Sequence, residues 1–164
     1  MSTNLNESEI IQNPALGAFL LWKFGRGFQA DESLQATLPL FFLVLPLLLH
    51  SQTGRVIEST RRTSGLVLFA AKLGENREDL LAVHERALTL RNLTWISIEI
   101  GIRSGLLTVD YSAATARANT LDGPLAKPWL PERLKSMPAR AEKVGYWFSK
   151  SGINQIASVL RVEF

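Results

Sequence analysis

The sequence contains no cysteine and only two histidines, His50 and His84. The chain therefore has no disulfide, thiolate nucleophile or cysteine-ligated zinc, and a metal site built on its histidines would need carboxylates as well. The phosphate-binding, dinucleotide-binding, zinc-peptidase and nucleophile-elbow motifs are also missing. His84 and Glu85 are adjacent and diverge on a helix, which favours a surface pair over an acid and base pair. We expect a protein that is not an enzyme and uses no cofactor or metal.

No stretch reaches the roughly 20 apolar residues that a membrane-spanning helix requires. The longest run, LPLFFLVLPLLL at residues 38–49, has twelve apolar or proline residues. Pro46 lies inside it and should bend the helix, and the lack of a polar stripe means that the helix must be covered on all sides. A central core helix is a more common solution than a surface for another protein or for a membrane. We predict a core helix whose end near Leu49 and His50 lies closest to a partner.

The sequence also lacks dense runs of one charge, although its net charge of +3 is unevenly distributed. Residues 1–60 have three Lys or Arg and five Asp or Glu, a net of −2, whereas residues 127–164 have seven and three, a net of +4. A solvated surface explains this excess more simply than a phosphate backbone or an acidic partner does, but both alternatives stay open. The candidate contacts to DNA or to an acidic partner are Arg61, Arg62, Lys135, Arg140 and Lys143.

Helical spacing of apolar residues covers most of the chain. Asn13 and Pro14 predict the start of a helix that runs to Phe28, and short helices are predicted at residues 56–61 and 65–73. Residues 76–102 predict one long helix, despite a strand-like alternation in its isoleucine-rich second half. Its apolar face has one series spaced by seven residues and an adjacent stripe. The series consists of Leu81, Leu88, Trp95 and Ile102, and the stripe of Leu80, Val83, Ala87 and Leu90.

The region from 106 to 122 predicts a β-hairpin that turns at residues 111–115. The proline-containing residues 124–132 should be extended, followed by a helix over residues 131–151 that is interrupted at Pro138, and then by a short helix and an extended tail. We predict a mainly α fold, a compact helical domain with a small hairpin that is winged-helix-like. A polar lead-in occupies residues 1–12 and a single domain residues 13–164.

Two side chains are candidates for facing a partner. Trp22 widens the apolar face of its helix towards a second contact, although a core position is its simpler role. His50 follows the apolar run and could cap the C-terminus of that helix, where a cation is favoured. Because residues 1–11 lack the features of a secretory signal, we expect a cytoplasmic protein.

Four segments occur in a distinctive order: NPALGAFLLWKFGRGF, LPLFFLVLPLLLHSQTGRVIESTRR, KLGEN and GIRSGLL. With these segments, which span about residues 13–107, the chain resembles the middle components of ABC three-component anti-phage systems. That group includes the small accessory subunit of Lamassu-type SMC defence complexes. The matching segments are apolar helices rather than catalytic signatures, and the remainder matches mainly as a basic helical part.

The resemblance implies a non-enzymatic accessory subunit that works with an SMC- or Rad50-like ABC ATPase and a toxic effector, often a nuclease. DNA would be sensed through the complex, and no membrane would be involved. Since the family has no catalytic residues, none is carried over to this sequence. The alternative is a winged-helix protein that binds DNA on its own, which rests on the basic C-terminal third and the hairpin.

Overall fold

The computed structural model describes residues 12–31, 34–123 and 129–164. The predicted polar lead-in at residues 1–12 therefore lies outside the described residues except for Gln12, as do residues 124–128 of the predicted extended segment. Eight α-helices and three strands form within the described ranges. They are α1 (Pro14–Phe28), β1 (Ala36–Thr37), α2 (Leu38–Leu48), α3 (Ser51–Ser59), α4 (Gly65–Leu73), α5 (Arg77–Thr89), α6 (Arg91–Arg103), β2 (Leu107–Asp110), β3 (Thr115–Ala118), α7 (Met137–Ser149) and α8 (Ile153–Leu160).

Helix α1 organises the fold because α6 and α7 both pack along it. Asn13 caps its first turn by accepting a hydrogen bond from the Ala15 N–H at 2.8 Å, as the sequence predicts. The approach of α7 is very close, since a Cβ atom on Gly145 would overlap the carbonyl oxygen of Phe24, and one on Gly27 would overlap that of Glu142. Glycine at these two positions lets the helix backbones touch.

Helix α2 is the core helix predicted from the apolar run, and nine of its residues are buried. Pro46 lies inside α2 and does not interrupt it, and the chain turns by 101° at the break between α2 and α3. Pro46 lies so near the end of α2 that little helix remains beyond it to be displaced. Among the described residues no single helix is long and apolar enough to cross a membrane, although the bent pair of α2 and α3 passes on length and composition.

The strands form an antiparallel sheet in the order β1, β3, β2. The hairpin of β2 and β3 confirms the predicted one, and the mainly α fold class is confirmed with it. Strand β1 was not predicted, and it pairs Ala36 with Ala116. On the N-terminal side of β1, the side-chain amide of Gln29 donates to the Ala118 carbonyl and accepts from the Ala118 N–H, so this side chain continues the hydrogen bonding along β3. The likeness to winged-helix domains stays a prediction.

Other boundaries differ from the sequence predictions. The long helix at residues 76–102 divides into α5 and α6 at Leu90. The predicted helix at residues 56–61 begins earlier, at Ser51, because His50 caps it. The predicted helix at residues 131–151 is a 3₁₀ turn at Glu132–Leu134 followed by α7, with Pro138 in the first turn, where a proline is tolerated. Beyond α8, the left-handed Arg161 returns Val162 to the core.

Candidate partner-binding surface

Helix α5 has the smallest buried share of the eight described helices, and α6 buries few large apolar side chains. In α5 only Val83 of 13 residues is buried. In α6 the buried residues are Thr94, Ser97, Ile98 and Gly101, of which only Ile98 is a large apolar side chain. Helices in globular proteins are usually stabilised by burial of an apolar face. This pair of helices instead leaves large apolar side chains exposed to solvent.

The exposed surface of the two helices contains the complete seven-residue series. We call Leu81, Leu88, Trp95 and Ile102 the outer stripe, and their exposed fractions are 50%, 52%, 43% and 36%. The adjacent series faces inward instead, with Val83 buried and Leu80, Ala87 and Leu90 packed against the core. The sequence therefore identified both rows but not which of them lies outside.

The close packing of α6 on α1 explains why its large apolar residues point elsewhere. A Cβ atom on Gly17 would overlap the Ser97 hydroxyl, so the two helix backbones approach to a distance that only small side chains allow. The Ser97 hydroxyl donates to the Leu93 carbonyl at 2.7 Å and is thereby satisfied within its own helix. Thr94, Ser97 and Gly101 share the buried face with Ile98, and Trp95, Ile96 and Ile102 remain exposed.

An apolar groove of about 410 Å³ adjoins the outer stripe. Leu88 of α5 and Trp95 of α6 both line it, and the ring of Trp95 packs edge-on against Phe42 with centroids 4.8 Å apart. The groove is also lined by Leu38, Pro39, Leu43, His84, Ala87, Arg91, Ala114, Val162, Glu163 and Phe164. The N-terminal half of α2 thus forms part of this groove, whereas the prediction had placed the C-terminal end of α2 nearest to a partner.

The sequence matches a known protein family. The sequence model of the ABC-three component (ABC-3C) system Middle Component 3 family matches residues 1–164. The chain belongs to this family. No curated protein and no solved structure matches the sequence. As a Middle Component 3 protein, the chain is one component of an ABC three-component system and has the other components as partners.

In this Middle Component 3 protein Trp22 lies in the core, which corrects its assignment as a partner-facing residue. Its exposed fraction is 4%, and its indole Nε1 donates to the Asn119 carbonyl at 2.9 Å. The indole thus connects α1 to the chain that follows β3. Helices α2, α6 and α7 and strand β3 all contact α1, and this accounts for its broad apolar face.

His50 caps the N-terminus of α3 rather than the C-terminus of α2, which corrects the predicted role. Its Nδ1 accepts a hydrogen bond from the Thr53 N–H at 3.3 Å and lies 2.8 Å from the Thr53 hydroxyl. The residue is half-buried at a cavity of about 250 Å³ that Arg86 also lines. Burial lowers the pKa of His50, and the nearby Arg86 cation lowers it further, while Asp79 opposes the shift. A neutral ring suits an acceptor at a helix N-terminus.

This environment predicts a pH dependence of stability. Because the pKa of His50 is lower in the folded chain than in the unfolded chain, the unfolded state takes up the proton first as pH falls. The contribution of His50 is therefore complete above its unfolded pKa of about 6.5 and is lost as pH falls from there to the folded pKa. We expect the His50→Asn variant, which keeps an N-cap without a proton to bind, to lose less stability than the wild type between pH 7.5 and pH 5 in urea unfolding. Parallel curves for the two proteins would contradict this assignment.

Three of the five predicted basic contacts are exposed. Arg61 and Arg62 precede α4, and the guanidinium of Arg62 stacks over the Tyr146 ring at 4.0 Å. Lys135 is exposed and pairs with Glu132 at 2.6 Å, an interaction between solvated side chains that contributes little to stability. The five residues therefore do not form one continuous basic patch, because the other two turn inward.

Arg140 and Lys143 hold α7 against α3. Arg140 pairs with Glu58, and its guanidinium occupies the space that a side chain at residue 54, a glycine, would need. The Lys143 ammonium donates to the carbonyls of Ile57 at 3.0 Å and Thr60 at 3.0 Å, where α3 ends. A cation is favoured at a helix C-terminus, and burial lowers the pKa of Lys143.

Removal of this cap should destabilise the fold. The Lys143→Met variant keeps most of the side-chain volume but leaves the end of α3 without its donor, and we expect a loss of about 1–2 kcal/mol in the free energy of unfolding. Lys135→Met is the matched control, because Lys135 is exposed and its replacement should change stability by less than about 0.5 kcal/mol. Urea unfolding at pH 7 compares the two variants, and equal losses would show that Lys143 is only a surface charge.

Two further arginines were not among the candidate contacts predicted from the sequence. Arg26 and Arg117 line an open polar cleft between the end of α1 and β3, together with Gln29, Gln35 and Asn119. They are 91 positions apart in sequence, so no local charge pattern could have joined them. The outer stripe had a local signal, since small residues at Thr94, Ser97 and Gly101 recur at helical spacing and favour a close helix contact on that face.

Proposed function

We propose that this chain is a non-enzymatic adaptor subunit of an anti-phage system of the Lamassu type. It links an SMC- or Rad50-like ABC ATPase to a toxic effector, a nuclease, and keeps the effector inactive until the complex senses DNA. Membership of the Middle Component 3 family supports a role beside other components, and the missing catalytic motifs support a binding role. The proposed complex works in the cytoplasm.

The observation that carries this proposal is the outer stripe with its neighbouring groove. Four large apolar side chains stand exposed at seven-residue intervals on two consecutive helices, of which α5 buries one residue and α6 four. Contiguous exposed apolar surface rimmed by polar groups is typical of protein interfaces, and exposed tryptophan is enriched among the residues that dominate binding. An adaptor requires such surface in addition to its own core.

Co-expression with the proteins encoded by the two flanking genes tests the proposal. A tag on this chain should recover both proteins in one complex, and a tag on either neighbour should recover the other only when this chain is present. A chain that purifies alone, while the two neighbours associate without it, would refute the adaptor role. Nuclease activity provides the second measurement, because the effector should be less active in the complex than alone until DNA and ATP are added.

A second candidate function is direct binding to DNA. The polar cleft supports it, because Arg26 and Arg117 are both exposed and both line it. Contacts to phosphates release counterions, so the affinity for a random duplex should fall steeply as salt is raised. Charge reversal at Arg26 and Arg117 should abolish binding, whereas charge reversal at Arg61 should not. An isolated chain that does not bind the duplex at low salt would eliminate this candidate.

A further inference from the structure

Three glutamates and an asparagine accompany the outer stripe. Each member of the stripe is preceded, three positions earlier, by Glu78, Glu85, Asn92 or Glu99. All four of these residues are exposed. Residues three apart are neighbours on a helix surface, so each of these side chains lies on the same side of its own member of the stripe. Glu99 also pairs with Arg103 at 2.6 Å, but both side chains are largely solvated and such a pair exchanges easily.

The opposite side of the stripe differs. The positions that follow Leu81 and Leu88 by three are His84 and Arg91, and both line the apolar groove. The docking surface therefore has an apolar centre, a groove on one side and carboxylates on the other. Apolar residues repeated every seven positions are typical of surfaces on which a partner helix packs.

From this arrangement we propose that the outer stripe binds a basic amphipathic helix belonging to another component of the system. The helix places apolar side chains on Leu81, Leu88, Trp95 and Ile102, and one large apolar side chain enters the groove. Lysine or arginine on its flank faces the row of Glu78, Glu85 and Glu99. This inference rests on the proposed adaptor role and specifies how one of its partners is recognised.

The same charges disfavour the other occupants of this surface. A second copy of the chain would bring an identical acidic row close to the first, and like charges across an interface oppose association. Nucleic acid and the anionic surface of a membrane would meet the carboxylates of Glu78 and Glu85 along this edge, whereas the cations here are Arg91 at the groove and Arg103, which is paired with Glu99. A basic helix is the occupant whose lysine or arginine side chains would be attracted to these carboxylates.

The test uses the full chain co-expressed with both neighbouring components. We expect the variant Leu88→Gln with Trp95→Gln to weaken binding of one partner by at least about 30-fold, as loss of a central interface residue does. The variant Glu78→Lys with Glu85→Lys should weaken the same interaction by at least about tenfold, with the larger effect at low salt. The matched control is Val67→Gln with Leu68→Gln, which alters two exposed apolar residues of α4 and should leave binding unchanged.

Each result decides one question, provided that circular dichroism shows the variants to be folded. A complex that tolerates the stripe variant overturns this inference and leaves the adaptor proposal intact, whereas failure of the wild-type chain to form any complex refutes the adaptor proposal itself. Loss of binding in the stripe variant without any effect of charge reversal would overturn the basic helix as the partner. A wild-type chain that dimerises, and that becomes monomeric in the stripe variant, would assign the surface to a second copy.

Discussion

Replacement of Gly145 with alanine is expected to destabilise the fold by more than about 3 kcal/mol. The added Cβ atom would overlap the Phe24 carbonyl and approach the Phe28 backbone nitrogen, and neither is a flexible side chain that could move aside. Helices α1 and α7 would have to separate along their whole contact. Two aromatic contacts of Phe24, with Phe41 and Phe148, lie beside this crossing and would be disturbed as well.

Urea unfolding followed by circular dichroism measures this effect. Gly152→Ser is the matched control, because a Cβ atom there meets nothing within 4 Å and serine is a good cap for the helix α8 that follows. We expect the control to change stability by less than about 0.5 kcal/mol. Similar midpoints for Gly145→Ala and the wild type would mean that the two helices do not touch as described.

The glycine opposite provides an internal check. Gly27→Ala should be costly for the same reason, since its Cβ atom would overlap the Glu142 carbonyl. Once either substitution has separated the helices, the second has less packing left to lose. The double variant should therefore lose less stability than the two single losses added together, which is the behaviour of residues that share one contact.

Local chemistry made part of the fold predictable. Asn13 and Pro14 set the start of α1, and the apolar run at residues 38–49 could only be a helix covered on all sides. The turn of the hairpin also lies at the predicted place, between Asp110 at the end of β2 and Thr115 at the start of β3. Each of these features depends on neighbours within a few residues, and such signals are readable from one sequence.

The remaining features depend on residues distant in sequence. Strand β1 is two residues long and exists because β3 lies beside it, some 80 positions later. Lys143, a predicted contact to DNA or to an acidic partner, caps the C-terminus of α3 instead, and the Ile57 carbonyl that it binds is 86 positions away in sequence. Likewise, the seven-residue series could not be placed inside or outside by periodicity, because both rows of α5 and α6 are apolar.

What decided the orientation of α6 is the size of its side chains rather than their polarity. Its buried face contains Thr94 and Ser97, which a count of hydrophobic residues would place in solvent. Close approach to α1 through Gly17 outweighed burial of the larger Trp95 and Ile96. Exposure of these apolar side chains to water costs free energy, and their burial against a binding partner would recover it.

The response of stability to substitution in α6 should therefore be the reverse of the usual hydrophobic pattern. Ser97→Leu is expected to lose about 3 kcal/mol, because the larger side chain meets the α1 backbone at Gly17 and must push the helices apart. Ile96→Gln should lose less than about 1 kcal/mol, since nearly half of the isoleucine is already exposed. Urea unfolding of the two variants, with the wild type beside them, measures the difference.

The same pair of variants separates folding from binding when each is co-expressed with the neighbouring components. Loss of the complex in Ser97→Leu would follow from the damaged fold, whereas the polar substitutions in the outer stripe should lose the complex while the folded chain remains. A Ser97→Leu chain more stable than Ile96→Gln would mean that α6 faces the core through its large residues, and the outer stripe would then be part of the core rather than a binding surface. Stability and assembly must respond to different faces of α6 if Trp95 and Ile102 are there for a partner.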